Sequence, residues 1–143
     1  MVNESRISVY DYVCNLFEGV VSDNVYRMSV PQELNDDDVA DGFVVIRVGD
    51  IEDASEFDLC AYGSVRVFVE AYVPPMSRGR LNKTKYKAFE DGINQVVREE
   101  IENGSDEHYS IQSDGIISVD DVDNSNSNNA FHVFVKSFIV TID

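Results

Sequence analysis

The stretch VRVFVEAYVPPMSRGRLNKTKYKAFEDGINQVVREEIENG, residues 65–104, contains both kinds of regular structure and the junction between them. Val65, Val67, Val69, Ala71 and Val73 alternate with Arg66, Phe68, Glu70 and Tyr72, the period of two that predicts a strand with one face toward a core. Pro74 and Pro75 end that strand, because two ladder donors are missing. From Lys83 to Asn103 the period changes: Tyr86, Phe89, Ile93, Val96, Val97 and Ile101 recur at helical spacing along one stripe, and Gly104 is the natural residue to follow the last turn. A core-lining strand therefore leads through a basic loop into an amphipathic helix.

Working outward, Val9, Tyr12, Val13, Leu16, Phe17 and Val20 predict a helix over 8–20, with Ser8 as N-cap, Asp11 three residues on, Ile7 against Tyr12 across the first turn, and Gly19 at the end. Residues 25–30 read as a short strand stopped by Pro31, and 32–42 as an acidic loop. The β-branched run FVVIRVG, 43–49, is too short for a helix and predicts a strand buried on both faces; 57–62 is a further candidate. Residues 109–119 read as a strand with a break at Gly115. The polar run DDVDNSNSNNA, 120–130, predicts a flexible loop at a hairpin tip, since it has nothing to bury. The closing strand, 131–142, turns Phe131, Val133, Val135 and Ile139 one way and Phe134, Phe138, Val140 and Ile142 the other. The order α-β-β-β-α-β-β predicts an α+β fold, an antiparallel β-sheet packed by two amphipathic helices, because no pair of strands shows the repeated βαβ spacing of a parallel fold.

At 143 residues the chain is the size of one domain, spanning 1–143, and 43% hydrophobic residues suffice for a core despite a net charge of −16. No run approaches 18 consecutive apolar residues, and MVNESRISVY lacks the basic and apolar regions of a signal peptide, which predicts neither a membrane span nor secretion. Cys14 and Cys60 are two thiols without metal-site spacing, read as reduced and buried.

The acidic excess predicts repulsion from a phosphate backbone and from an anionic membrane alike, so no tight nucleic-acid binding and no membrane binding. Its distribution is uneven. Ten acids lie between 33 and 58 (Glu33, Asp36, Asp37, Asp38, Asp41, Asp50, Glu52, Asp53, Glu56, Asp58) against one base, Arg47. Five of the 11 bases, Arg78, Arg80, Lys83, Lys85 and Lys87, fall within 78–87 with no acid among them. Cations directly before a helix oppose its dipole, so a solvated loop explains them less well than an anionic surface outside the chain. The acidic face of a neighbouring subunit is one such surface. The candidate interaction residues are therefore Arg78, Arg80, Lys83, Lys85 and Lys87 on one side and Asp36, Asp37, Asp38, Asp53 and Glu56 on the other.

Sequence signals for chemistry are weak. His108 and His132 stand at no spacing associated with a nucleophile or zinc, and His132 alternates within a strand as an ordinary sheet residue. Asp36, Asp37 and Asp38, and Asp120, Asp121 and Asp123 with Asn124, offer oxygen atoms without calcium-loop spacing. None of the eight glycines belongs to a phosphate-cradling pattern. The sequence thus predicts no enzyme, no cofactor and no metal, and points to an interaction protein.

An N-terminal helix, sheet strands, VRVFVEAYVP leading through a basic loop into KYKAFEDGINQVVREEIENG, and a last hairpin closed by FHVFVKSFIVTI together resemble the tail terminator (tail completion) proteins of long-tailed bacteriophages and related neck-ring proteins. The likeness spans nearly the whole chain and is one of architecture and length, without a diagnostic short motif. It implies a protomer of a hexameric ring at the head-proximal end of the tail, which ends polymerisation of the tail tube protein and joins the tail to the head–tail connector protein. The family's ring lumen is commonly negative, which suits DNA passing through, and the family offers no catalytic residues to carry over. The implied location is the virion, with assembly in the host cytoplasm. The competing readings are another virion or contractile-machine component, an acidic inhibitor or immunity-type protein that mimics DNA charge, and a small enzyme or ligand-binding domain.

Overall fold

The computed structural model describes residues 6–49, 52–53, 63–104, 106, 108–113, 119–126 and 129–142. In chain order the elements are α1 (Arg6–Phe17), β1 (Val25–Arg27), α2 (Asp36–Asp41), β2 (Phe43–Val48), β3 (Glu52–Asp53), β4 (Gly63–Val73), a 3₁₀ turn (Ser77–Gly79), α3 (Lys83–Asn103), β5 (Tyr109–Ser113), β6 (Val119–Asn126) and β7 (Asn129–Ile142). The α+β class holds. The strands form one sheet in the order β1-β2-β4-β7-β5, with β3 also on β4 and β6 also on β7. Its longest ladder joins β4 to β7, from Gly63 opposite Ile142 to Val73 opposite His132.

The sheet is mixed, not antiparallel throughout. β1 runs parallel to β2, with Val25 opposite Val44 and Arg27 opposite Ile46. A parallel pair needs a crossover of about a dozen residues or more, and residues 28–42 supply it. That segment also contains a third helix where an acidic loop was expected. α2 forms because Asn35 accepts a hydrogen bond from the Asp38 N–H (2.8 Å) while the Asp38 carboxylate accepts one from the Asn35 N–H (3.1 Å), a reciprocal capping box. Asp36, Asp37 and Asp38 then sit where a helix dipole favours negative charge.

Other boundaries shift for local reasons. α1 begins at Arg6, so Ser8 lies inside its first turn. Asp11 pairs with Arg27, and Ile7, expected to pack across the first turn, is 58% exposed. β1 ends at Arg27 because Met28 takes a left-handed φ of 74°. Residues 120–126, expected in a loop, run as part of β6 along β7. The expectations for 57–62, Cys60 and a break at Gly115 lie outside the described residues.

Both long helices cover one face of the sheet. Val9, Val13 and Phe17 of α1 and Phe89, Ile93 and Val97 of α3 bury against Val44 and Ile46 of β2, the odd-numbered apolar residues of β4, and Phe134, Phe138, Val140 and Ile142 of β7. Ile101 leaves that stripe and is exposed. On the opposite face Phe43, Val45, Tyr72, Phe131 and Val133 form a second cluster, against which Tyr26, Val30 and Leu34 pack. The alternation read in 65–73 and 131–142 thus sorts side chains onto the faces they occupy. Among the described residues no helix is long and apolar enough to cross a membrane.

Candidate interaction surfaces

The basic loop starts where Pro74 and Pro75 terminate β4. It closes on itself through a Met76 N–H donated to the Arg80 carbonyl (2.8 Å) and a Gly79 N–H donated to the Met76 carbonyl (3.1 Å). Arg78 holds a left-handed φ of 64° at the turn, and the Arg80 guanidinium donates to the Ser77 carbonyl (3.3 Å). Asn82 then caps α3 by accepting from the Lys85 N–H (3.1 Å). Fixed in this way, the loop presents Met76, Arg78, Arg80 and Leu81 to solvent.

The predicted acidic and basic residues come together only in part, and within one chain. Lys85 approaches Asp41 of α2 at 3.7 Å, and Lys87 approaches Asp91 one turn along α3 at 3.6 Å. Asp36 and Asp37 are exposed on α2. Asp38 is 1% exposed; its two carboxylate oxygens accept from the Tyr26 hydroxyl at 2.7 Å each, and Oδ2 also takes the Asn35 N–H. That carboxylate belongs to the fold and is closed to a partner. Burial first and Asp38 second push the Tyr26 hydroxyl up to about 12. Asp53 lies in β3, paired with Gly63, and Glu56 falls outside the described residues. Arg78, Arg80 and Lys83 make no ion pair among the described residues.

Two concavities flank α3. Near its N-terminal end a polar cleft of about 470 Å³ is lined by Asp37, Asp41, Lys85, Phe89, Val21 and Asn24. Near its C-terminal end a groove of about 520 Å³ runs between α1 and α3, lined by Leu16, Val20, Val96, Glu99, Asn103 and Asp106. At its base the Tyr12 hydroxyl donates to Glu100 Oε2 at 2.6 Å, and the Tyr12 ring stacks on Tyr109 with centroids 4.9 Å apart. Burial, then the neighbouring Glu100 carboxylate, raises the Tyr12 hydroxyl well above the ordinary tyrosine range, so it stays a donor. The groove was missed in the sequence because its acids, Glu99 and Asp106, are scattered over a helix end and a loop. The cue available there was the run REEIEN, which closes a helix with anions.

Other candidate chemistry is sparse. Cys14 is buried, and burial raises its thiol pKa, which leaves it a poor nucleophile. His132 is a half-buried sheet residue whose Nδ1 has no hydrogen-bond partner among the described residues. Among the described residues no three His, Cys, Asp or Glu side chains converge as a metal site. Compared with protein-family models and with curated proteins, the chain matches none, so the fold and these surfaces carry the functional argument.

Proposed function

We propose that the chain is a non-catalytic structural subunit of a bacteriophage tail. It forms a ring of the tail terminator kind that ends tube polymerisation and joins the tail to the head connector. The carrying observation is the basic loop: Arg78, Arg80 and Lys83, flanked by exposed Met76 and Leu81, form a hydrogen-bonded projection without an acidic partner in its own described chain, in a protein of net charge −16. Methionine and arginine are enriched at protein interfaces, and a cationic projection on an anionic molecule finds its complement on another copy. The α+β protomer, with its two long helices on one face of the sheet, supports the same reading. With its basic loops engaged at subunit contacts, a ring of such protomers presents mostly carboxylates to its lumen, where duplex DNA slides without sticking.

The test is size-exclusion chromatography with light scattering, followed by negative-stain imaging. The expected result is a closed ring of about six protomers with a mass in proportion to the 16.1 kDa chain. An isolated protomer at every concentration would overturn the ring and leave the charge-mimic reading in its place. Anisotropy with duplex DNA at low salt should show no tight binding; tight, steeply salt-dependent binding would overturn the lumen argument.

A further inference from the structure

α3 is charged against its own dipole at both ends. Its first turn carries Lys83 and Lys85 with no acid, and its last turn carries Glu100 and Glu102 with no base. A helix favours anions at its start and cations at its end, so each group of charges opposes the dipole, offset within the protomer only in part by Asp41 beside Lys85 and by the Tyr12 hydroxyl on Glu100. Opposite charge brought from outside would relieve both ends. With 21 residues, α3 holds the two ends about 30 Å apart.

The two ends also differ in form. The basic end carries a projection: a loop closed by its own hydrogen bonds, with Met76 45% and Leu81 38% exposed beside Arg78 and Arg80. The acidic end carries the groove between α1 and α3, with Leu16, Val20 and Val96 as apolar lining and Glu99 and Asp106 as acidic lining. The α2 acids are poorer partners, since the Asp38 carboxylate is buried and Asp41 already lies beside Lys85.

We propose that the 76–83 loop of one copy seats in the α1–α3 groove of the next copy. Met76 and Leu81 meet the apolar lining, and Arg78, Arg80 and Lys83 meet Glu99 and Asp106. Docked reciprocally by two antiparallel α3 helices, these surfaces would close a two-fold dimer; docked head to tail, they make a heterologous contact in which each copy leaves one of each free. Such a contact propagates until the rotation closes a ring. The inference rests on the self-assembly proposed above and names the surfaces that produce it.

The test uses two charge-swapped forms of the full chain. In one, Arg78→Glu, Arg80→Glu and Lys83→Glu turn the projection acidic; in the other, Glu99→Lys and Asp106→Lys turn the groove basic. Alone, each form faces like charge with like charge, and its half-assembly concentration should rise at least tenfold by light scattering. Mixed in equal amounts, each projection meets a complementary groove and assembly should return. Circular dichroism melting reports whether each form folds, and the α3 substitutions now agree with the dipole. Val20→Lys, at a position 69% exposed beside the groove, is the independent variant and should block assembly without unfolding the protomer. If swapped forms and Val20→Lys assemble like the unmodified protein, this contact is overturned while the ring reading survives. Failure of the mixture to recover would also overturn the contact. Filaments or dimers that the swaps abolish and the mixture restores would keep the contact and overturn the ring. Protomers alone from the unmodified chain would overturn both.

Discussion

The two faces of the sheet are built by different means. Under α1 and α3 the core is mostly aliphatic, a broad layer of valines and isoleucines with Tyr10, Tyr12, Phe17, Phe89, Phe134 and Phe138 set among them, and each element contributes at its own period. On the other face the cluster is aromatic and specific: Phe43 stacks on Tyr72 at 4.5 Å, Phe131 meets Phe43 edge-on at 5.3 Å, and Tyr26 meets it edge-on at 5.7 Å. The first face depends on amount and pattern of apolar surface; the second depends on a crossover held by one glycine, one capping box and one buried carboxylate.

That contrast breaks most directly at Phe134, fully buried on the helix-covered face with its ring 4.6 Å from Tyr86. Phe134→Ala should cost about 3–5 kcal/mol from lost burial and the cavity left behind. Urea unfolding would measure it, and a cost below that of the next variant would reverse the order of importance of the two faces. Gly42 comes second. It joins α2 to β2 at φ 85°, and a Cβ there would collide with the Tyr72 carbonyl and lie 2.9 Å from Pro74 Cδ. Gly42→Ala should cost about 2–4 kcal/mol through strain and overpacking. A change under about 0.5 kcal/mol would mean that the crossover adapts freely.

Tyr26→Phe is the smallest of the three and the sharpest, since it removes one hydroxyl and little volume. It leaves the buried Asp38 carboxylate without that donor and should cost about 1–3 kcal/mol near neutral pH. The sign with pH follows from the raised hydroxyl pKa, about 12 in the fold against an ordinary value of 10.0. Its contribution is complete below the unfolded value and is lost as pH climbs through the folded one. The difference in unfolding free energy between the unmodified chain and Tyr26→Phe should therefore shrink between pH 10 and 12. A difference constant over that range would show that the hydroxyl bond is not what the crossover relies on.

Much of the helix-covered face is legible in the sequence, because periods of two and of three to four project directly onto buried and exposed positions. The span Lys83–Asn103 and the Gly104 end match the reading, while Ile101, expected on the buried stripe, is exposed. α2 was not read, since six residues have no room for an apolar stripe; its trace was the Asn35 and Asp38 pair, three apart, which resembles any acidic loop until both hydrogen bonds form. The candidate surfaces divide in the same way. The projecting cations showed as a local run, whereas the acidic groove takes α1, the end of α3 and the loop beyond it, which only folding brings together.

By itself, the sequence determined the α+β class, the strand faces of 65–73 and 131–142, the long helix and the segregation of charge, since each is a property of neighbours along the chain. Tertiary structure alone decided that β1 joins β2 in parallel, that the Asp38 carboxylate is buried on Tyr26, that Lys85 lies beside Asp41, and that an acidic groove and a basic loop sit at opposite ends of α3. Those are contacts between residues far apart in sequence, and a period carries no information about which distant group will arrive to neutralise a charge or accept a hydrogen bond.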